Sequence, residues 1–237
     1  MANTYNFGMP LLDAAQAQKH VTVNEAVARA DAVAQMRLKA RGVTVPPVAV
    51  DGTAFGIGIG ASGDWAGHDG EVAVQANGGW VFMLPKLGWR GWDETMAEAI
   101  VYDGEDWQAD AVVVSAGGAG THWRVAEIDH VIAAGADSTT VNVIPNGVQV
   151  IGVTGRVISA ITGTGIGSWQ LGVAGSVNRY GSGLGLGFNS WAKGLSGQPQ
   201  TYYADTPLVL TPDAGTFTGG TVRLCVHYVA LSVPRAV

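Results

Sequence analysis

Short apolar runs separated by glycine turns fill almost all of this chain, and that pattern limits its fold more than any other feature. Glycine accounts for 35 of 237 residues, roughly twice the share in an average protein. Charged residues make up only 14 % and hydrophobic ones 47 %. A coiled coil needs far more Glu, Lys and Arg, and a charge-driven disordered chain would carry less apolar material. Collagen is excluded because the glycines keep no three-residue period. A β-rich, turn-dense globular chain of one or two domains remains, long enough to bury a core.

One segment reads as helix. Thr22-Val23-Asn24-Glu25 fits a capping box, in which hydroxyl and carboxylate satisfy the first turn. Val27, Ala30, Val33, Ala34 and Leu38 follow at three- and four-residue spacing and predict a helix running to Arg41-Gly42. The thin Ala/Val stripe suits close packing, either on a copy of itself around a symmetry axis or on its own β-domain. Pro46-Pro47 then breaks the chain. From Val48 to Gln108, five of the eight tryptophans (Trp65, Trp80, Trp89, Trp92 and Trp107) each follow a glycine turn. Ala111 to Gly120 reads as a linker or bridging strand.

Beyond it, Thr139–Ile144, Val148–Val153, Val157–Thr162, Trp169–Val173 and Thr221–Leu231 are β-branched or alternating. Their spacing predicts an antiparallel, jelly-roll-like β-sandwich. The expected organisation is mainly β, in four parts. Residues 1–45 form a helical attachment and oligomerisation segment, 46–110 a small Trp-rich β-domain, 111–121 a linker, and 122–237 a C-terminal sandwich that would bind a receptor.

Charge is uneven along the chain. Residues 1–137 hold 17 acids and 8 bases, a balance of −9, and residues 138–237 hold 2 acids and 5 bases, a balance of +3. A surface this poor in charge is coated by hydroxyls, amides and backbone, or covered by other subunits. No basic patch is large enough to track phosphates, so no nucleic-acid partner is expected. The single Cys225 offers neither a disulfide nor a multi-thiolate metal site and reads as a small hydrophobe on a strand. Met1 to Met9 lacks the charged and apolar regions of a signal peptide, and no run is long enough to span a bilayer. Synthesis in the cytoplasm and no membrane partner are therefore expected.

Four constellations could carry chemistry. Gly58-Ile59-Gly60-Ala61-Ser62-Gly63 matches the dinucleotide glycine pattern, but the turn-rich sequence after it offers no helix N-terminus for a pyrophosphate. Asp64, His68, Asp69 and Glu71 could ligate a cation or run acid/base chemistry, but lie on a solvated turn. Glu127 and Asp129 share one strand face while His130 points to the other, which splits any acid/His pair. The fourth interleaves aromatics with neutral and basic hydrogen-bonding groups: Asn178 to Gly183, Asn189-Ser190-Trp191 and Tyr202-Tyr203. Flat rings beside Asn, Arg and Ser suit a shallow saccharide site, although rings more often serve the core. Arg179, Tyr180, Asn189, Trp191, Tyr202 and Tyr203 are the candidate glycan-binding residues. No catalytic set, metal site or cofactor is expected.

Pro10-Leu11-Leu12-Asp13-Ala14-Ala15-Gln16-Ala17-Gln18-Lys19-His20-Val21-Thr22-Val23-Asn24-Glu25-Ala26 resembles the opening of an alphaproteobacterial family of prophages and gene transfer agents, virus-like particles that carry host DNA. Its members look like head-spike and tail-fibre proteins. The resemblance continues through Gly63 to Gly70, Gly88-Trp89 and Tyr102-Asp103-Gly104. It extends to Arg179 through Gly185, Tyr202 to Leu210, and Phe217 to Leu224. It implies a virion appendage, located on the particle surface, that adsorbs to host capsular or surface polysaccharide. Implied partners are other virion proteins at a capsid vertex or tail baseplate. The implied assembly is a homo-oligomer, a homotrimer or alternatively a homopentamer. A structural adaptor and a glycan-cleaving depolymerase spike are the competing readings.

Overall fold

The computed structural model describes residues 3–12 and 19–236, with only the backbone of residues 19–22. It is mostly β, with one α-helix near the N-terminus and several largely antiparallel sheets. Two compact units divide the chain: residues 1–120 with 234–237, and residues 121–233. None of the helices described is long and apolar enough to cross a membrane.

In the first unit, α1 (Lys19–Ala34) leads into β1 (Met36–Leu38). The helix therefore ends earlier than its spacing predicts, and Thr22 lies inside it rather than at its cap. Leu38 is not on the helical stripe. Met36 and Leu38 point inward from a strand that pairs with neighbours on both sides, and this central pairing outweighs local helical periodicity. The helix buries Asp31 and Ala32 against its own unit. Asp31 accepts hydrogen bonds from Thr4 Oγ1 at 2.8 Å and from the amides of Asn6 and Phe7 at 2.8 and 2.7 Å, which ties the N-terminal residues down.

The sheet of this unit contains β2 (Ala54–Gly56), β3 (Val72–Ala76), β4 (Gly79–Met83), β5 (Arg90–Asp93), β6 (Glu98–Tyr102) and β7 (Trp107–Ala109). Its order is β4-β3-β2-β1-β5-β6-β7, with β1 parallel to both neighbours and the other pairs antiparallel. Residues 1–45 thus supply the central strand. Asn77 and Gly78, both at positive φ, make the tight β3–β4 turn, a pairing whose twist matches that of the flanking strands. Two apolar clusters form in this unit, one with Ala32, Met36, Leu38, Val72, Val74 and Ile100, the other with Phe55, Ile57, Trp65 and Ala73. Trp65 is 0 % exposed and packs edge-on against Trp80, with ring centroids 5.0 Å apart. The expected linker contains a strand, β8 (Ala111–Val114), and the turn from Ser115 to Ala119 that opens β9 (Gly120–Val131). β-branched Val112 to Val114 prefer an extended backbone to a coil.

The second unit is a sandwich. One sheet takes β10 (Ser138–Ile144), β15 (Thr206–Pro212), β12 (Trp169–Val173) and β13 (Ser176–Leu184) in the order β10-β15-β12-β13. In the other, the strands of this unit are β14 (Trp191–Tyr202), β11 (Val148–Thr164), β16 (Thr216–Leu231) and β9, in that order. The two runs predicted at Val148 and Val157 are one strand, β11. All pairs are antiparallel, and Val150, Val153, Leu171, Leu208, Leu210, Leu224 and Val226 fill the core between the sheets. A side chain at Gly194 would place its Cβ 1.9 Å from the Tyr180 carbonyl oxygen. Glycine there lets β13 approach β14 where the two sheets meet.

Candidate saccharide groove

Alternation along β9, β11, β14 and β16, interrupted at a bulge between Val150 and Gly152, gives the larger sheet one core face and one solvent face. On the solvent face the register lines side chains into rows across four strands. Trp191, Arg156, Arg223 and Asp129 stand in one row, and Lys193, Thr154, Cys225 and Glu127 in the next. Six of these, Thr154, Arg156, Trp191, Lys193, Arg223 and Cys225, together with Ile158, line an open groove of about 500 Å³. A second groove of about 200 Å³ adjoins it through Thr154 and Lys193 and adds Leu195 and His227.

Two guanidinium groups directly opposite each other repel, and their neighbours determine how this pair is held. Arg223 binds Asp129 with both prongs, at 2.7 and 2.8 Å, with Glu127 a further 3.6 Å away. That contact holds the Asp129 carboxyl below its usual range. Arg156 instead donates to the Asn189 carbonyl oxygen at 2.9 Å. Asn189 takes a left-handed turn, φ 66°, which presents this carbonyl. Thr154 Oγ1 and His227 Nε2 are bonded at 2.9 Å. Burial and the neighbouring Glu127 push the Cys225 thiol pKa up, which suppresses the nucleophilic thiolate. The two rows together offer an exposed indole, 64 % accessible, a guanidinium with only a neutral partner, an ammonium and a hydroxyl. They can stack on a ring and donate hydrogen bonds.

The six residues expected from the sequence do not form one site. Tyr180 and Tyr202 are 1 % and 9 % exposed and lie in the sandwich core, so neither ring can serve as a platform. Each phenol satisfies the other, with oxygens 2.7 Å apart. Burial raises the Tyr180 pKa, and the bond to Tyr202 adds to it. Arg179 is exposed on β13 and donates to Gln200 at 3.2 Å. Tyr203 is 85 % exposed just past Tyr202, which pairs with Val148 at the start of β11. Eight residues of strand separate that point from Arg156, roughly 25 Å. On the groove only Asn189 and Trp191 come together, around Arg156. The sequence reading missed Arg156, Lys193, Thr154 and Arg223; their alternation was visible, but their cross-strand neighbours were not.

The other constellations have structural roles. Asp69 accepts the amides of Gly60 and Ala61 at 2.9 Å each. A side-chain carboxylate thus occupies the donors a phosphate would need, and only a single 3₁₀ turn, Gly63–Trp65, follows. His68 stacks on Phe82 at 3.6 Å and meets Glu71 at 3.1 Å. His130 turns away from Glu127 and Asp129 and bonds Ser138 at 2.8 Å. Among the described residues no three His, Cys, Asp or Glu side chains are grouped to hold a metal ion.

Comparison with known proteins places part of this chain. Residues 23–108, from the second turn of α1 to β7, match the family described as a protein of unknown function (DUF2793). The groove lies outside that span. No curated protein matches the chain. A solved chain of the cyanophage Pam1 capsid asymmetric unit is similar at 22 % identity and a TM-score of 0.33, over 48 % of this chain and 86 % of that one.

Proposed function

We propose that this protein is a surface appendage of a phage-like or gene-transfer particle that binds host-surface polysaccharide through the outer face of its larger sandwich sheet. The observation that carries this reading is Trp191, an indole left 64 % exposed on an open sheet with hydrogen-bond donors on either side. Water-facing indoles gain by stacking on the apolar faces of sugar rings, and adjacent donors take the hydroxyls. The resemblance of residues 10–26 to head-spike and tail-fibre proteins supplies the context. Weak single-site binding would be multiplied by many copies on one particle. The first unit would serve attachment to other virion proteins.

Binding without cleavage is part of this reading. Glycoside cleavage uses two carboxyl groups, one of them protonated. In the second unit Asp129 is held ionised by Arg223, while Asp213 caps the amides of Gly167 and Ser168 and Asp205 that of Asn146. The test is a glycan array and a surface-polysaccharide pull-down with wild-type protein and Trp191→Ala. Wild-type binding, loss of at least about tenfold in the variant, and no new reducing ends are expected. Absence of binding to any glycan leaves the adaptor reading, and released reducing ends support the depolymerase.

A further inference from the structure

We infer that the groove selects anionic saccharides, uronate-type sugars whose carboxylate sits between Arg156 and Lys193. This deepens the polysaccharide reading and rests on it. In the last hundred residues the acids are few and already engaged. Asp213 accepts three backbone amides, from Gly167, Ser168 and Ala214, and Asp205 accepts that of Asn146. The cations are differently placed. Arg179 meets only the neutral Gln200, and Arg223 is committed to Asp129 and Glu127 on β9.

Arg156 and Lys193 occupy the side of the sheet away from those acids, on the adjacent strands β11 and β14, two residues apart in register on one face. Glu127 and Asp129 stand at the far end of the same two rows, on β9, with β16 between them and β11. Arg156 has a backbone carbonyl as its partner rather than a carboxylate. A planar guanidinium matches a carboxylate with two parallel hydrogen bonds, and an ammonium adds a third, charge-assisted contact. Trp191 stands directly across from Arg156 and next but one to Lys193, so a pyranose stacked on the indole would bring a ring carboxylate within reach of both. Neutral sugars would leave two desolvated cations without a counter-charge, which costs affinity.

The experiment uses the full chain on an array that pairs uronate-containing oligosaccharides with neutral glucan and mannan oligosaccharides. Each acidic hit is then re-measured after its carboxylates are reduced to alcohols. Binding confined to acidic oligosaccharides, lost on carboxyl reduction and weakened by salt, is the expected result. Lys193→Gln should weaken such a hit about tenfold and Arg156→Gln by as much or more, with Arg179→Gln unchanged as the charge control. Because Arg156 also holds the Asn189 turn, Lys193→Gln is the cleaner variant. Neutral hits, hits that survive reduction, or a Lys193→Gln protein that binds normally overturn this inference and leave the polysaccharide reading intact. No glycan binding of any kind overturns both.

Discussion

The two units differ in how deeply they bury their charge. In the first, carboxylates are fasteners. Asp93 is almost fully buried, paired to Arg41 at 2.6 Å, and caps the amides of Thr95 and Met96. Asp103 does the same for Glu105 and Asp106 and is paired to Arg235 at 2.8 Å. Arg41 also reaches Glu98 and the Trp107 carbonyl. In the second unit the core cluster is built of apolar and phenolic side chains, and Arg156, Lys193, Arg223, Glu127 and Asp129 stand on the outer face of the larger sheet. Tryptophan serves both purposes: Trp65 in the first unit and Trp169 in the second are sealed in their cores, while Trp191 faces water. Carboxylates lock turns in both units, but Asp93 and Asp103 of the first are buried while Asp205 and Asp213 of the second are exposed, and Arg156, Lys193 and Arg223 line an outer face.

This contrast predicts a graded set of effects. The largest belongs to Trp65→Ala, which empties an aromatic site and should cost about 3–5 kcal/mol in the first unit. Hydrogen exchange of the β2 and β3 peptides should accelerate accordingly. Next comes Asp93→Ala, which removes one of the two carboxylates on the partly buried Arg41 and uncaps the Thr95 and Met96 amides, and should cost about 2–3 kcal/mol by chemical denaturation. If either change proves nearly neutral, the fastener account of the first unit fails.

Acid gives the third test. Burial raises the pKa of Asp31, Asp93 and Asp103, but hydrogen bonds from amides, Thr4, Gln108 and the two arginines outweigh it and leave all three lowered. A depressed folded-state value stabilises above the unfolded value near ~3.9 and is lost as pH falls through the folded one. Exchange protection in the first unit should therefore drop below about pH 4, and in Asp93→Asn that part of the dependence should vanish.

Tyr180→Phe is expected to be smaller, about 1–3 kcal/mol, because it leaves the Tyr202 hydroxyl buried without its partner. The double change Tyr180→Phe with Tyr202→Phe should recover part of that loss, and glycan binding should be untouched in both. Trp191→Ala should shift stability least, by within about 0.5 kcal/mol, while abolishing binding. A large loss of stability there would mean the indole is structural after all.

Much of the fold was legible. Thr139–Ile144, Trp169–Val173 and Thr221–Leu231 alternate because one side of each faces the core, and all three lie in observed strands. The opposite facing of Glu127 and His130 was readable for the same reason. Other features were not. Leu38 fits a helical stripe equally well, and only its place in β1, between β2 and β5, makes it strand. Tyr180 and Tyr202 look like saccharide platforms in isolation. Their mutual hydrogen bond, across 22 residues, is what allows two phenols into a core.

The amino-acid sequence by itself determined a β-rich chain with one helix, acids concentrated in its first 137 residues, and strands whose alternate residues face water. Period-two alternation, turn chemistry and composition are local properties, so they can be read without knowing what packs where. Which of those water-facing residues became neighbours was decided by tertiary structure alone. Arg156 meets Trp191 and Arg223 because β11 is paired on both sides in one register, and a slip of one residue would send each side chain to the opposite face. That register is set by the buried valines and leucines between the sheets, so the groove depends on core residues it does not contain.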